Sequence, residues 1–352
     1  MGVYKIVLTG GPCAGKSTVF ESVKKQLEKE GYYVICVPET AREYIKNGVQ
    51  ADSARAHTLL FQDIMFTGQV TKEENSERYA DFINHDKDII ILYDRAIMDN
   101  RAYLNKEDYD NLLAKHHYKE LDIIDKYDLV IDLVSTATLK PESYIMDKER
   151  HETKEEAAAN DICITNAWLL HRNFKLVKPT ETLEEKSEIV LQLIHSFLNK
   201  SWNRECNYYQ INKQDSDFSM YHDENSRRMT ISNLRLNTQN IKEHTILSKR
   251  NYNGATSYVL EKRSPYYENL VFNESKLLSY NDYLETLIKG GIYDGIDVSV
   301  LAFAHKGDYY KIIDDDKDIY LETSAQLDKI PENIAVSKVL TKSFVKQKSV
   351  IL

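Results

Sequence analysis

No stretch of this 352-residue chain reaches the ~18 to 20 consecutive apolar residues of a membrane span. Met1 leads straight into the strand-like run from Tyr4 to Thr9, with no secretory leader before it. A soluble, cytoplasmic protein is therefore expected. Cysteine is scarce: Cys13, Cys36, Cys163 and Cys206 lie far apart with no C-x-x-C pair. That argues against a zinc site or a disulfide framework and leaves reduced thiols. Positive charge is outnumbered by negative, and a net charge of -9 argues against a dedicated nucleic-acid binder, which would be basic overall, while leaving room for a local basic groove. Internal repeats and low-complexity tracts are missing, and no N-K-x-D base-reading motif stands out, so ATP and GTP both stay open. What is present is 42% hydrophobic residues, enough to build a core in each of the two domains that this length predicts.

The most informative segment is Gly10-Gly11-Pro12-Cys13-Ala14-Gly15-Lys16-Ser17, a complete G-x-x-x-x-G-K-S phosphate loop directly after a strand. Glycines let the backbone curl so that successive N–H groups point at phosphate oxygens, and the following helix adds the positive end of its dipole. Gly10 to Thr18 are the expected contacts to a nucleoside triphosphate, with Lys16 reaching its β- and γ-phosphates and Ser17 holding Mg²⁺. A glycine turn that merely caps a helix would need neither the lysine nor the second glycine.

Strands then alternate with helices in the manner of a parallel sheet. The runs Tyr33 to Val37, Asp88 to Tyr93, Tyr127 to Val134 and Phe174 to Val177 read as strands. Helical patterns cover Thr18 to Glu30, Thr40 to Lys46, Ala51 to Asn75 and Leu183 to Leu198, and Thr153-Lys154-Glu155-Glu156 is a capping box that starts another helix. A P-loop domain over residues 1–200 is followed by a change of texture to short runs of period two. Residues 207–352 are expected to form an antiparallel β-domain. Its clearest hairpin pivots on Asn253-Gly254, which pairs Tyr252 with Ala255, Lys249 with Tyr258, Leu247 with Leu260 and Thr245 with Lys262. Lys249 and Lys262 then share one face, and Arg250, Glu261 and Arg263 the other. A second hairpin is expected around Lys306-Gly307-Asp308. From Ala335 to Leu352, Val336, Val339, Leu340 and Phe344 fall at helical spacing beside Lys338, Lys342, Lys346 and Lys348. The expectation there is a docking helix, with weak anionic-lipid contact as the alternative.

Three clusters in the first domain carry chemistry. Glu39 follows the second strand at the sheet edge where ligands bind in such folds. It reads either as a general base or magnesium ligand or, with Glu43, as the acidic first turn of a helix. Asp94 ends the third strand, where a magnesium-organising carboxylate belongs, and Arg95 beside it can reach a transferring phosphate; a structural Asp-Arg pair is the alternative. Asp132 inside the fourth strand reads equally as a core carboxylate or a site residue. Arg150, ahead of the capped helix, stands where a lid arginine would close over phosphates, or within a solvated mixed-charge segment. His151 and His171 have no metal-ligand spacing.

Taken together, the P-loop, Pro38 to Glu43, Asp94-Arg95, Asp99, Arg150, Glu152, the alanine-rich helix, Trp168 and His171 resemble the AAA-type domain of the nicotinamide-riboside kinases and the TRP-channel translocation-defect GTP-binding proteins. The resemblance spans roughly residues 3–200, and the helix from Glu155 to His171 is closer to the second group. That group implies a CYTH-like triphosphate-tunnel β-domain after the P-loop domain, and the two hairpins with the segment Tyr280 to Leu284 are similar to its second half. In place of the E-x-E-x-K strand of an active tunnel this chain has Cys206-Asn207-Tyr208-Tyr209-Gln210-Ile211-Asn212-Lys213, which argues against triphosphatase activity there. Lys249, Arg250, Lys262 and Arg263 are the candidate contacts to a phosphorylated ligand in the second domain.

Two functions follow as expectations. One is a Mg²⁺-dependent P-loop protein that hydrolyses ATP or GTP or transfers a phosphoryl group to a small hydroxyl-bearing acceptor through Lys16, Glu39, Asp94, Arg95 and Arg150. The other is a regulatory GTP-binding module with negligible turnover that works through partner or phospholipid contacts.

Overall fold

The computed structural model describes residues 2–49, 55–83, 86–139, 153–203, 206–221, 226–237, 243–264 and 271–341. The backbone divides into two compact units, Met1–Gln192 and Leu193–Leu352.

The first unit runs β1 (Val3–Thr9), α1 (Lys16–Lys29), β2 (Tyr33–Val37), α2 (Thr40–Lys46), α3 (Arg55–Phe82), β3 (Ile89–Asp94), a 3-10 helix (Ile97–Tyr103), α4 (Lys106–Lys115), α5 (Glu120–Asp125), β4 (Leu129–Leu133), α6 (Thr136–Leu139), α7 (Lys154–Trp168), β5 (Phe174–Val177) and α8 (Leu183–Leu198). The five strands are parallel in the order β2-β3-β1-β4-β5. Ile6, Val7, Leu8, Ile90, Ile91 and Leu92 are fully buried, as expected of central strands covered by helices on both faces. Because β1 is the middle strand, the loop after it opens at the carboxyl edge of the sheet. Register sets Leu8 opposite Asp94 of β3 and Thr9 opposite Asp132 of β4.

Helix α3 continues to Phe82, past the Asn75 that the pattern suggests, because its polar residues do not all face water. Gln69 and Glu73, one turn apart, are both buried. Glu73 accepts hydrogen bonds from the Ile97 N–H at 3.1 Å, the Tyr127 hydroxyl at 2.7 Å and Lys126 at 2.8 Å. Burial pushes the Glu73 carboxyl above the usual range, against the opposing charge of Lys126.

The second unit carries β6 (Trp202–Asn203), β7 (Asn207–Ile211), β8 (Arg227–Leu236), β9 (His244–Tyr252), β10 (Ala255–Ser264), β11 (Val271–Leu278), α9 (Tyr280–Gly290), β12 (Ile292–His305), β13 (Asp308–Asp314), β14 (Ile319–Thr323) and β15 (Val336–Val339). These strands form one antiparallel sheet in the order β15-β7-β14-β13-β12-β8-β9-β10-β11-β6. Asn253 and Gly254 take φ of +46° and +73°, the two left-handed residues of a tight hairpin turn, and all four expected pairs of β9 with β10 are present. On the Lys249 side of the hairpin, Leu247, Tyr258 and Leu260 pack with Tyr283 and Leu287 of α9.

The tail differs from expectation. Val336–Val339 is a strand on β7, not the start of a helix; the residues from 342 onward lie outside the described ones. β-branched valines suit an extended backbone, and β15 covers β7 groups that would otherwise stand open. Ile334 and Leu340, at 4% and 7% exposure, are buried on either side of it. Removing the chain after Pro331 is therefore expected to destabilise the second unit by roughly 3–6 kcal/mol, the burial of two aliphatic side chains. A melt of the truncated protein that matches the full chain would contradict that packing.

Candidate functional site

The loop between β1 and α1 has the curl that a phosphate site requires. Gly10, Cys13 and Gly15 take φ of +136°, +57° and +80°. Gly15 stands at the N-cap of α1 in the left-handed region, makes no side-chain cap, and the first helical turn holds no acidic residue. The N-cap thus offers no side chain to the start of this 14-residue helix, an arrangement suited to an anion. The Lys16 ammonium is folded back onto its own loop, donating to the Gly10 and Gly11 carbonyls at 2.7 Å each. Ser17 and Thr18 are exposed, and Arg42 of α2 donates to the Ser17 hydroxyl at 3.3 Å.

The carboxylates beside the loop are held differently from one another. Glu39 accepts from the Arg95 Nε at 3.0 Å, with both side chains about nine-tenths buried. Asp94 Oδ1 is buried and has no hydrogen-bond partner. Burial, and then the charge of Glu39, raises the Asp94 carboxyl above its usual range, while Lys16, Arg95 and Arg42 pull it down. A buried carboxylate oxygen without a donor, in the field of the P-loop lysine, fits a divalent cation better than it fits a closed protein network. Arg95 itself has φ of +66°, a conformation that costs a non-glycine residue about 1 kcal/mol or more and tends to persist at functional sites. Its N–H is anchored to Leu8 O at 3.0 Å, Gln69 donates to its carbonyl at 3.3 Å, and its Nη1 is buried without a partner. Tyr103 leads the groups whose field raises the guanidinium, after the opposing effect of burial. A cavity of about 300 Å³ opens beside Tyr103, lined by Thr58, Leu59, Leu104, Asn105 and Asp108.

One tetrapeptide does carry the letters of a guanine-reading motif, Asn105-Lys106-Glu107-Asp108. In the structure it is a helix start: Asn105 caps α4, accepting from the Asp108 N–H at 2.8 Å and donating to Asp108 Oδ2 at 2.7 Å. The two side chains that would read a base are turned on each other.

Other expected residues are placed as scaffold. Asp99 accepts from the Thr9 hydroxyl, from the Ala96 N–H at 2.7 Å and from Trp168 Nε1 at 3.2 Å, which ties the 3-10 helix to β1 and α7. A His171 ring nitrogen meets the Tyr127 carbonyl oxygen at 2.9 Å. Thr153 and Glu156 form the anticipated capping box on α7. Arg150, His151 and Glu152 lie outside the described residues. Asp161 was missed by the motif reading, although it accepts from the Gly11 N–H at 2.9 Å. A carboxylate 150 residues from the loop it holds leaves no local signal.

In the second unit the four candidate cations separate as the hairpin register requires. Arg250 and Arg263 are 5% and 4% exposed and lie on one face with Glu261, which accepts from Arg263 Nε at 2.8 Å. Lys249 and Lys262 are on the other face, Lys249 exposed and Lys262 paired with Glu274 at 2.6 Å. Register carried across β8 and β13 adds Arg227, Arg235 and Lys311 to the arginine face. Their alternation along each strand was the available signal. His244, on the same face, is pushed down to about 4 by burial and then by the charges of Arg235 and Arg263. Among the described residues no cluster of three or more metal-ligating side chains occurs, and no helix is long and apolar enough to cross a membrane.

A family model described as an AAA domain matches residues 5–186, more than half of the chain. The chain belongs to the AAA domain family. The AAA domain contains the whole phosphate loop together with Glu39, Asp94 and Arg95, and the protein is a nucleotide-binding P-loop protein. No curated protein matches it. Among solved structures it is similar to the PH1819 protein from Pyrococcus horikoshii OT3, at 12% identity and a TM-score of 0.27, over 36% of this chain and 81% of that chain.

Proposed function

We propose that this chain binds ATP or GTP with Mg²⁺ at the P-loop and transfers the terminal phosphoryl group to water or to a small hydroxyl-bearing acceptor. The observation that carries this reading is Asp94 Oδ1, buried without a partner beside Lys16. Gly10 to Thr18 would wrap the phosphates, and Lys16 would leave the Gly10 and Gly11 carbonyls to take the β- and γ-oxygens. Ser17 and Asp94, and Glu39 at longer range, would hold Mg²⁺, which when bound supplies positive charge to the phosphate oxygens. Arg95 Nη1 is free of protein acceptors among the described residues and would meet the transferring phosphoryl group, with Glu39 fixing the guanidinium by its ion pair. Arg150 would close over the phosphates as a lid residue. Phosphate release from Mg-ATP and Mg-GTP tests the reading; tight nucleotide binding with no turnover, with or without added hydroxyl compounds, would favour the regulatory alternative.

For the second unit the proposal is a CYTH-like domain whose arginine face, Arg250 and Arg263 foremost, binds a phosphorylated ligand. Tyr208 and Gln210 occupy this face on β7 where tunnel carboxylates would stand, so binding is expected without triphosphate cleavage. His244 reports on it. Its folded-state pKa is depressed below the ordinary 6.5 to about 4, so the unfolded chain binds the extra proton between those values. The stability it contributes is present above pH 6.5 and is lost as pH falls toward 4. An anion seated among the arginines would raise the His244 pKa, which NMR titration with tripolyphosphate reads. An unmoved His244 titration would remove this face as the binding surface.

A further inference from the structure

Two carboxylates outside the set assigned above are fully enclosed next to the P-loop: Asp161 is 1% exposed and Asp132 0%. Asp161 Oδ1 accepts from the Gly11 N–H at 2.9 Å, both its oxygens lie 3.1 Å from the Ser135 N–H, and the Thr138 hydroxyl donates to Oδ2 at 2.7 Å. The grip depends on residue 11 having no side chain, since a Cβ there would stand 2.5 Å from Asp161 Oδ1. The same segment holds the loop again through the Ser135 hydroxyl on the Pro12 carbonyl and the Thr136 hydroxyl on the Cys13 carbonyl. One turn further along α7, the Thr165 hydroxyl donates to Asp132 Oδ2 at 2.6 Å. Asp132 Oδ1 is buried with no partner.

Among the described residues, the charged groups that face this pair come from four elements. Asp161 sits on α7, Asp132 on β4, Asp99 in the 3-10 helix and Lys16 on α1. Lys16 is the cation that opposes the burial of both carboxylates, and it is also the side chain that a triphosphate claims.

We propose that Asp161 is a positioning residue that holds the P-loop in its phosphate-binding curl, and that Asp132 takes up a proton from solvent when a triphosphate occupies Lys16. This rests on the triphosphate ligand proposed above. Phosphate oxygens bring negative charge toward two buried carboxylates and draw away their counter-charge, so ionised Asp132 becomes less favourable in the complex than in the free protein. The proton goes onto the carboxylate of Asp132, whose Oδ1 makes no hydrogen bond, and Oδ2 keeps the Thr165 bond. Burial, and then the charge of Asp161, already pushes Asp132 up to about 8 in the free protein. Uptake is therefore small where Asp132 is already protonated and grows above pH 8. Affinity falls correspondingly with rising pH, by at most tenfold per pH unit for one whole proton.

Isothermal titration of the full chain with Mg-ATP and Mg-GTP, in two buffers of different protonation enthalpy at pH 6.5 and 8.5, counts the proton directly. The wild type is expected to take up a substantial fraction of one proton at pH 8.5 and little at pH 6.5. Asp132→Asn keeps an oxygen for Thr165 and is always neutral, so it is expected to lose the uptake and to bind more tightly than wild type at pH 8.5, with equal affinity at pH 6.5. A gain of affinity is a result that a merely structural lesion does not give. Asp161→Asn, with an unchanged circular-dichroism spectrum, is expected to lose at least tenfold in affinity at both pH values. Equal proton uptake in wild type and Asp132→Asn, or an Asp161→Asn protein that binds like wild type, would overturn the proposal while leaving the nucleotide reading in place. Absence of binding heat from the wild type with either nucleotide would overturn the nucleotide reading and the proposal with it.

Discussion

Replacing Lys16 with alanine is expected to abolish triphosphate binding. In the wild type, Mg-ATP or Mg-GTP at a hundred times its dissociation constant would stabilise the folded state by about 2.7 kcal/mol, a rise of roughly 5–10 °C in the melting midpoint for a domain of this size. The alanine variant should show no such rise. Lys16 is 6% exposed and donates to the Gly10 and Gly11 carbonyls, so the ligand-free midpoint should also fall slightly as the loop loses that tie. The comparison that matters is the nucleotide-dependent shift within each protein. A shift of wild-type size in the variant would remove the P-loop from the binding site.

The second large effect separates binding from chemistry. Asp94→Asn is nearly isosteric and removes only the charge of a carboxylate whose Oδ1 has no protein partner. It should keep most of the nucleotide affinity and slow turnover by roughly 10² or more, the scale of a lost metal organiser or general base. Glu39→Gln is expected to slow turnover similarly but also to destabilise the protein, because it leaves the Arg95 guanidinium, which is 8% exposed, without its ion-pair partner. Melts of the two variants therefore differ: unchanged for Asp94→Asn and lowered for Glu39→Gln. Wild-type turnover in Asp94→Asn would make that aspartate structural and favour a regulatory protein.

The central strands were readable because a strand buried on both faces must be apolar along its length. Ile89 to Tyr93 is such a run, bounded by charged residues on both sides. The P-loop was readable because backbone curl and phosphate charge leave few residue types possible at fixed spacing. Asn253-Gly254 set its hairpin register for the same reason: few residues tolerate two successive left-handed conformations. Harder to read was whatever depends on contacts far apart in sequence. Nothing near Glu39 announces that Arg95 will hold it, nor that Asp161 will grip Gly11. The inward charges of β8 require knowing that this sheet face is enclosed, since on an open face Arg227 and Arg235 would be ordinary solvated residues. The tail misled because Val336, Val339 and Leu340 suit a helical stripe, while the partner that decides the matter, the edge of β7, lies more than 120 residues earlier.

Native mass spectrometry of the full chain incubated with Mg-ATP or Mg-GTP decides whether the P-loop holds a nucleotide. One nucleotide per chain is expected on the wild type, with a diphosphate appearing over time, and none on Lys16→Ala. A wild-type protein that retains neither nucleotide, or a Lys16→Ala protein that retains as much as wild type, would contradict that expectation.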